Sequence, residues 1–154
     1  MTPSELVFSQ ASQMDLHEGF FGNDAVDSNA VDSLADSRLV ADWLETVTKI
    51  KNSVLGDSYQ LTINWVSEDE ITTLNKDWRS IDSPTDVLSF PYSSDEGELF
   101  LCPTIIESKY QLYERDLPNF VLFLFVHSLH HLAGLDHGSE MESAEEKTRR
   151  EFLI

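Results

Sequence analysis

One apolar stretch that contains three histidines, residues 117–135 with the sequence LPNFVLFLFVHSLHHLAGL, limits the possible folds of this chain most strongly. Its length is close to the roughly 20 residues that cross a bilayer as a helix. Ionisable side chains inside a membrane are costly, however, and this argues against insertion. We therefore expect a buried central helix that begins at Asp116-Leu117-Pro118, because Asp caps helices and Pro is tolerated in a first turn.

The spacing of the histidines in HSLHHLAGLDH, residues 127–137, predicts a metal site. His127 and His131 are four positions apart, so a helix places both on one face, one turn apart. Gly134 is expected to end the helix in a left-handed conformation, after which the chain turns back and His137 reaches the same point. Three converging imidazoles leave one position of a tetrahedral zinc ion open for water, as in catalytic sites. We therefore predict one Zn²⁺ per chain, bound by His127, His131 and His137 and carrying a catalytic water.

The same spacing, H-x-x-x-H-x-x-G-x-x-H, is typical of metzincin metalloproteases, which gives an alternative function. Those enzymes have a Glu as general base directly after the first His, and Ser128 stands there in this chain. Serine is a poor base, so the protease is the less favoured hypothesis. His130 lies about 100° around the helix from His131 and is expected to pack or face solvent. His17 is expected to be solvated.

Composition indicates one globular domain of 154 residues, with 41% apolar and 25% charged residues. The single cysteine, Cys102, excludes an intrachain disulfide and an all-thiolate zinc site, and the N-terminus lacks the pattern of a signal peptide. Both features favour a cytoplasmic protein that is not inserted in a membrane. The net charge of −18 argues mildly against a nucleic-acid substrate, because like charges repel at long range.

Hydrophobic periodicity, caps and turns predict the element order β-α-β-α-β-β-α-α-α. The fold class is α+β (mixed α/β): a single domain, residues 1–154, with a small mixed sheet packed with helices and the histidine motif on the buried central helix. Residues 10–36 lack periodicity and are expected to form a loop or disordered insertion. The predicted elements are a strand at 5–9, a helix from Asp36 or Ser37 to Gly56, a strand at 60–66, a helix opened by a Ser67/Glu70 capping box, a strand at 87–90 closed by Pro91, a polar loop at 93–97, a strand at 98–102, a helix near 104–113, the apolar helix and a charged helix at 142–153.

A second motif, LNKDWRSIDSPTDVLSFP at residues 74–91, gives the histidines a family context. With both motifs, the chain resembles the YbeY family of endoribonucleases, bacterial rRNA maturation factors with motifs of the form LNxxYRxxDxPTDVLSFP and HGxLHLxGYDH. The resemblance runs from about residue 38 to the C-terminus. The residues that match the first motif are Leu74, Asn75, Arg79, Asp82, Pro84, Thr85, Asp86, Val87, Leu88, Ser89, Phe90 and Pro91, with Trp78 replacing Tyr. The departures in the second are Ser128, His130 and Leu135, which replace Gly, Leu and Tyr.

This resemblance implies a zinc-dependent, single-strand-specific endoribonuclease that acts in 16S rRNA 3′-end maturation and ribosome quality control. The implied partners are single-stranded RNA or rRNA and the ribosome or its small-subunit proteins. A non-catalytic, zinc-containing ribosome assembly factor is a further alternative. Arg79 matches the family's functional arginine and is expected to bind the scissile phosphate and stabilise its developing charge. Asp136 is expected to orient a metal-binding histidine through a hydrogen bond.

Two features of the implied chemistry stay open at this stage. A zinc ion held by three histidines lowers the pKa of its bound water toward about 7. The attacking group is then either that hydroxide or an RNA 2′-hydroxyl, and no dedicated general base is apparent. The basic residues Lys76, Arg79, Lys109 and Arg115 are candidates to line a groove for RNA.

Overall fold

The structure, a computed structural model, describes residues 6–8 and 33–154, with side chains from residue 42 onward. Within these residues the predicted order of strands and helices and the α+β class are confirmed, with a short 3-10 helix added after the third helix. The elements are β1 (Leu6–Phe8), α1 (Ser33–Leu55), β2 (Gln60–Trp65), α2 (Glu68–Arg79), β3 (Val87–Ser93), β4 (Glu96–Leu101), α3 (Pro103–Lys109), the 3-10 helix (Tyr110–Tyr113), α4 (Leu117–Leu132) and α5 (Ser139–Phe152).

The four strands form one mixed sheet in the order β1-β2-β4-β3. β2 pairs in parallel with both β1 and β4, whereas β3 runs antiparallel to β4. Leu61, Ile63 and Trp65 alternate along β2 and are buried, as the period-2 pattern of a half-buried strand predicts. These three side chains join the main core beneath the helices.

The boundaries of the β3–β4 hairpin differ from those that the sequence predicts. Pro91 does not end β3, which continues to Ser93, and the predicted polar loop shrinks to a two-residue turn before β4 begins at Glu96. Proline is tolerated here because β3 is an edge strand and the register shifts between Pro91 and Ser93. An edge strand does not need every N–H for the ladder, and the sequence alone does not show which strand is at the edge.

Helix α1 begins at Ser33, earlier than the predicted cap at Asp36 or Ser37. Apolar periodicity identifies the turns of a helix that face the core and misses a polar first turn. Acidic residues are also compatible with a helix start because of the positive end of the helix dipole. The predicted end at Gly56 is confirmed by its φ of +91°. Residues 33–36 of the predicted insertion are therefore helical, and residues 10–32 lie outside the described part of the chain.

Helix α4 is the predicted central helix. It begins where Asp116 Oδ1 accepts a hydrogen bond of 2.8 Å from the backbone N–H of Asn119. It packs against β3, α1, α3 and α5, which explains why residues on several of its faces are buried. Neither this helix nor another in the described ranges is long and apolar enough to span a bilayer.

Candidate metal centre

The C-terminal end of α4 brings the three histidines together. The backbone N–H of Gly134 donates to His131 O at 3.0 Å, and that of Leu135 donates to His130 O at 3.1 Å. These two bonds form a Schellman motif, and Gly134 takes the left-handed conformation that the motif requires, with φ +93°. The chain therefore reverses within a few residues, and His137 returns to the face that carries His127 and His131.

The three imidazoles face one another closely enough to bind one metal ion. One ring nitrogen from each of His127, His131 and His137 lies within 4.8 Å of the other two. The ring centroids are 4.7 Å apart for His127 and His131, 5.3 Å for His127 and His137, and 4.7 Å for His131 and His137. His127 and His131 are half-buried and His137 is exposed, so the cluster opens toward solvent.

Hydrogen bonds to the protein fix the orientation of two of these rings. The Nδ1–H of His127 donates to Glu145 Oε1 at 2.7 Å, and the Nδ1–H of His131 donates to the carbonyl oxygen of Leu135 at 3.1 Å. A carboxylate or a carbonyl can only accept, so each bond selects the tautomer that leaves Nε2 with its lone pair. Metal-binding histidines are held by such partners. The donor set therefore fits a metal ion such as zinc.

Burial and repulsion by the neighbouring histidines favour the uncharged form of His131. Burial lowers the pKa of His131, and the neighbouring His127 and His137 lower it further. An imidazole must be neutral to bind a metal, so these effects keep the Nε2 lone pair of His131 available. The same environment that disfavours protonation thus favours metal binding.

Glu145 is the functional residue that the sequence interpretation missed. It lies on α5, where Met141, Glu145 and Thr148 are buried although the rest of that helix is highly charged. An acidic residue within the inward stripe of a helix is the signal that could have identified it, since unpaired buried carboxylates are rare. Asp136, which the sequence predicts to orient a histidine, is exposed and makes no hydrogen bond with residues 42–154. Its predicted role stays a prediction without a supporting contact.

His130 belongs to the packing between α4 and α5, away from the histidine trio. Its side chain is 6% exposed, and its Nε2–H donates to Thr148 Oγ1 at 3.1 Å, while that hydroxyl donates to Ala144 O. Burial lowers the pKa of His130, which favours the neutral form of this packed side chain. The sequence predicts that His130 either packs or faces solvent, and the structure shows that it packs.

A cleft of about 630 Å³ joins the histidine trio to Arg79. Arg79 is the last residue of α2, which ends because Ser80 takes a left-handed conformation with φ 59°. The buried amide of Asn75 holds the following loop by donating to Ser83 O at 2.8 Å. The side chain of Arg79 is exposed, and its guanidinium forms neither an ion pair nor a hydrogen bond with the described residues. Its guanidinium is therefore free to bind a ligand in the cleft.

The other basic residues that are candidates for an RNA groove have different environments. Lys76 lies 3.9 Å from Asp82, and Lys109 lies 3.6 Å from Asp86, so both are paired with acids. Arg115 lies over the ring of Phe123, with 4.5 Å between its guanidinium carbon and the ring centroid. Of the four candidates, only Arg79 lines the cleft.

Comparison with known proteins identifies the family to which this chain is similar. Residues 23–154 match the family described as Endoribonuclease YbeY, and this match begins well before the quoted motifs. The chain is 35% identical over 112 residues to the Endoribonuclease YbeY of Thermotoga maritima, covering 71% of this chain and 74% of that protein. It is 34% identical over 122 residues to that of Burkholderia ambifaria, covering 76% and 66%.

A solved structure agrees with the sequence comparison. A solution structure of a Thermotoga maritima protein aligns with a TM-score of 0.55 and 32% identity, covering 76% of this chain and 83% of that one. The family match covers most of the chain and includes Arg79, the three histidines and Glu145. The chain therefore belongs to the YbeY family of endoribonucleases.

Proposed function

We propose that this chain is a zinc-dependent endoribonuclease that cleaves single-stranded RNA in 16S rRNA 3′-end maturation and contributes to ribosome quality control in the cytoplasm. One observation carries the proposal: an unpaired arginine and three converging histidines line the same cleft. Cleavage of a phosphodiester needs both a group that binds the phosphate and one that activates a nucleophile.

The residues of this cleft have different roles in phosphodiester cleavage. A zinc ion held by His127, His131 and His137 would supply a Lewis acid that polarises a phosphoryl oxygen and makes water more acidic. Glu145 orients His127. Arg79 presents a planar guanidinium that donates two parallel hydrogen bonds to a phosphate, so it both positions the scissile group and stabilises the charge that develops on it.

The environment of Ser128 argues against the alternative of a metzincin-like protease. Ser128 follows the first histidine, where those enzymes have their catalytic Glu. Its side chain is fully buried, and its hydroxyl donates to Leu124 O at 2.8 Å. The position therefore offers no proton acceptor for peptide hydrolysis.

An RNA cleavage assay with controlled metal content tests the proposal. The purified chain should cleave a fluorescent single-stranded fragment of precursor 16S rRNA, lose this activity in chelator and regain it with added Zn²⁺. A fully paired duplex of the same sequence should be cut much more slowly. Casein serves as the control substrate, and its chelator-sensitive cleavage without RNA cleavage would replace the nuclease with the protease.

The same preparations distinguish an enzyme from a structural assembly factor. Binding to small ribosomal subunits, measured by co-sedimentation, should be retained in an Arg79→Ala variant that no longer cleaves RNA. If the wild type binds subunits and zinc but cleaves no RNA under any metal condition, the non-catalytic assembly factor is the better explanation.

A further inference from the structure

Two arginines beside the cleft lack an acidic partner among the residues with described side chains. In the part of the chain with described side chains, Lys49, Lys76, Lys109 and Arg150 each form an ion pair. Arg115 and Arg149 do not, although the chain contains 28 acidic residues. Instead, both guanidinium groups lie over the ring of Phe123, at 4.5 and 5.2 Å from its centroid.

The proximity of these two positive charges favours an anionic ligand. Burial lowers the pKa of Arg115, and repulsion by the nearby positive charge of Arg149 lowers it further. The amide oxygen of Asn119 accepts a hydrogen bond from Arg115 but carries no charge to offset this repulsion. A phosphodiester between two guanidiniums would supply that charge and accept hydrogen bonds from both.

An aromatic surface lies next to these arginines. The ring of Tyr113 stacks on that of Phe120, with centroids 4.8 Å apart and an angle of 27°, and lies 5.8 Å from the ring of Phe123. Phe120 is fully buried, whereas Tyr113 is 48% exposed. Tyr113 is thus supported from the protein side and open to solvent, as required of a ring on which an unpaired base stacks.

Both aromatic side chains belong to the cleft of the metal centre. Tyr113 and Phe123 line it together with Arg79 and the histidine trio. Phe123 precedes His127 by four residues on α4, which is about one helical turn of 5.4 Å. A strand of RNA with its scissile phosphate at Arg79 would therefore pass close to Tyr113, Phe123 and the two arginines.

We propose that Tyr113, Phe123, Arg115 and Arg149 form a second nucleotide-binding subsite, which we call the arginine–aromatic shelf. It stacks one unpaired base of single-stranded RNA on Tyr113 and binds an adjoining phosphodiester with Arg115 and Arg149. The inference rests on the proposed function and extends it by naming where a nucleotide next to the cleaved bond is held.

Fluorescence anisotropy with a labelled, 2′-O-methylated octauridine, checked to be intact after each measurement, tests the shelf in the metal-loaded chain. The Arg115→Gln/Arg149→Gln double variant should bind about ten- to a hundredfold more weakly at low salt. Its plot of log affinity against log salt should also be shallower, by about 0.7 for each phosphate that the variant no longer binds. Lys147→Gln is the matched control, because Lys147 is exposed, lies on the same helix as Arg149 and is also unpaired. It should change the affinity less than twofold.

Two variants of Tyr113 test whether a base stacks on its ring. Tyr113→Leu should weaken binding about tenfold at all salt concentrations, because one base loses its aromatic partner. Tyr113→Phe keeps the ring and should bind like the wild type. Circular dichroism melting checks that each variant folds. If the double variant fails to fold, the single arginine variants and the Tyr113 pair decide the outcome.

The result separates the shelf from the catalytic proposal. The shelf is wrong if the arginine variants bind like Lys147→Gln, or if Tyr113→Leu binds like Tyr113→Phe, even when the wild type cleaves RNA. If the wild type does not cleave RNA but the shelf variants lose affinity, the shelf stands and the endonuclease proposal fails. A wild type that does not bind the oligonucleotide overturns the shelf, whereas the RNA cleavage assay decides the endonuclease proposal.

Discussion

The two sides of the cleft are built in opposite ways. On the histidine side, Glu145 and the Leu135 carbonyl hold His127 and His131 through hydrogen bonds within the chain. On the opposite side, Arg79 stands at a helix end with no partner among the described residues. A metal site gains affinity when its ligands are oriented before binding, whereas a free guanidinium can follow a substrate. The comparison indicates that the histidine side is preorganised and that the Arg79 side is completed by its ligand.

The largest expected effect follows from removing a metal ligand. His131→Ala should reduce bound zinc to a small fraction of one ion per chain, measured by mass spectrometry of the purified protein. His130→Ala is the matched control, because His130 is adjacent but bonds to Thr148 instead of facing the trio. The control should keep its zinc and lose about 1–3 kcal/mol of unfolding free energy, since it removes a buried hydrogen bond. Equal zinc contents in the two variants would contradict the assignment.

Arg79 is expected to affect cleavage without affecting the metal. Arg79→Ala should lower kcat/KM for RNA by about 100- to 1,000-fold, because a preorganised donor to the developing charge is removed. Arg79→Lys should recover little of this, since an ammonium lacks the two-pronged geometry. Lys76→Ala, one turn earlier on α2, is the control for general charge loss and should change the rate only slightly. Full activity in Arg79→Lys would show that charge alone matters at this position.

Variants of Glu145 test whether the histidine side of the cleft is preorganised. Glu145→Ala should weaken zinc binding about 10- to 100-fold in competition with a chelator, because His127 loses the partner that fixes its tautomer. Glu145→Gln keeps an accepting oxygen and should lose less. Glu146→Gln, one position along and bridged to Arg150 at the surface, should bind zinc normally. Unchanged affinity in Glu145→Ala would mean that the ring is oriented by packing alone.

The smallest expected effect concerns the turn after α4. Gly134→Ala should lower the free energy of unfolding by about 1–2 kcal/mol, because a side chain is strained in the left-handed region. Gly56→Ala is a close control, because Gly56 also ends a helix. The φ of Gly56 is +91° and that of Gly134 is +93°, and an added Cβ would have no neighbour within 4 Å at either position. Both variants should lose similar stability in thermal melts. Only Gly134→Ala should also weaken zinc binding, because its turn carries the Leu135 carbonyl and His137.

Local rules are sufficient to predict the meeting of the histidines. His127 and His131 share a helix face by geometry, and Gly134 indicates where the chain reverses, so the positions of all three follow from eleven consecutive residues. The Ser67 cap of α2 follows from a similar local pattern and is observed, with Ser67 Oγ accepting from the Glu70 N–H at 3.2 Å. Features determined within one or two helical turns are accessible from the sequence.

Features that depend on how distant elements pack are not accessible in this way. Glu145 contacts His127 across 18 positions, and this contact exists only because α5 packs against α4. Asp136 neighbours His137 in the sequence, which makes it a candidate to orient a histidine, yet it bonds to no histidine in the described structure. The position of Pro91 within β3 depends on strand order, which is also a property of the whole sheet.

That proline has a consequence for the behaviour of the protein in concentrated solution. β3 is an outer strand of the sheet, and outer strands can recruit strands from other molecules and so begin aggregation. Pro91 lacks an N–H, and the register shift beside it interrupts the regular repeat that an incoming strand would need. The same strand lines the cleft with Val87, Leu88 and Ser89. The cleft therefore lies beside a sheet edge that resists pairing with strands of other molecules.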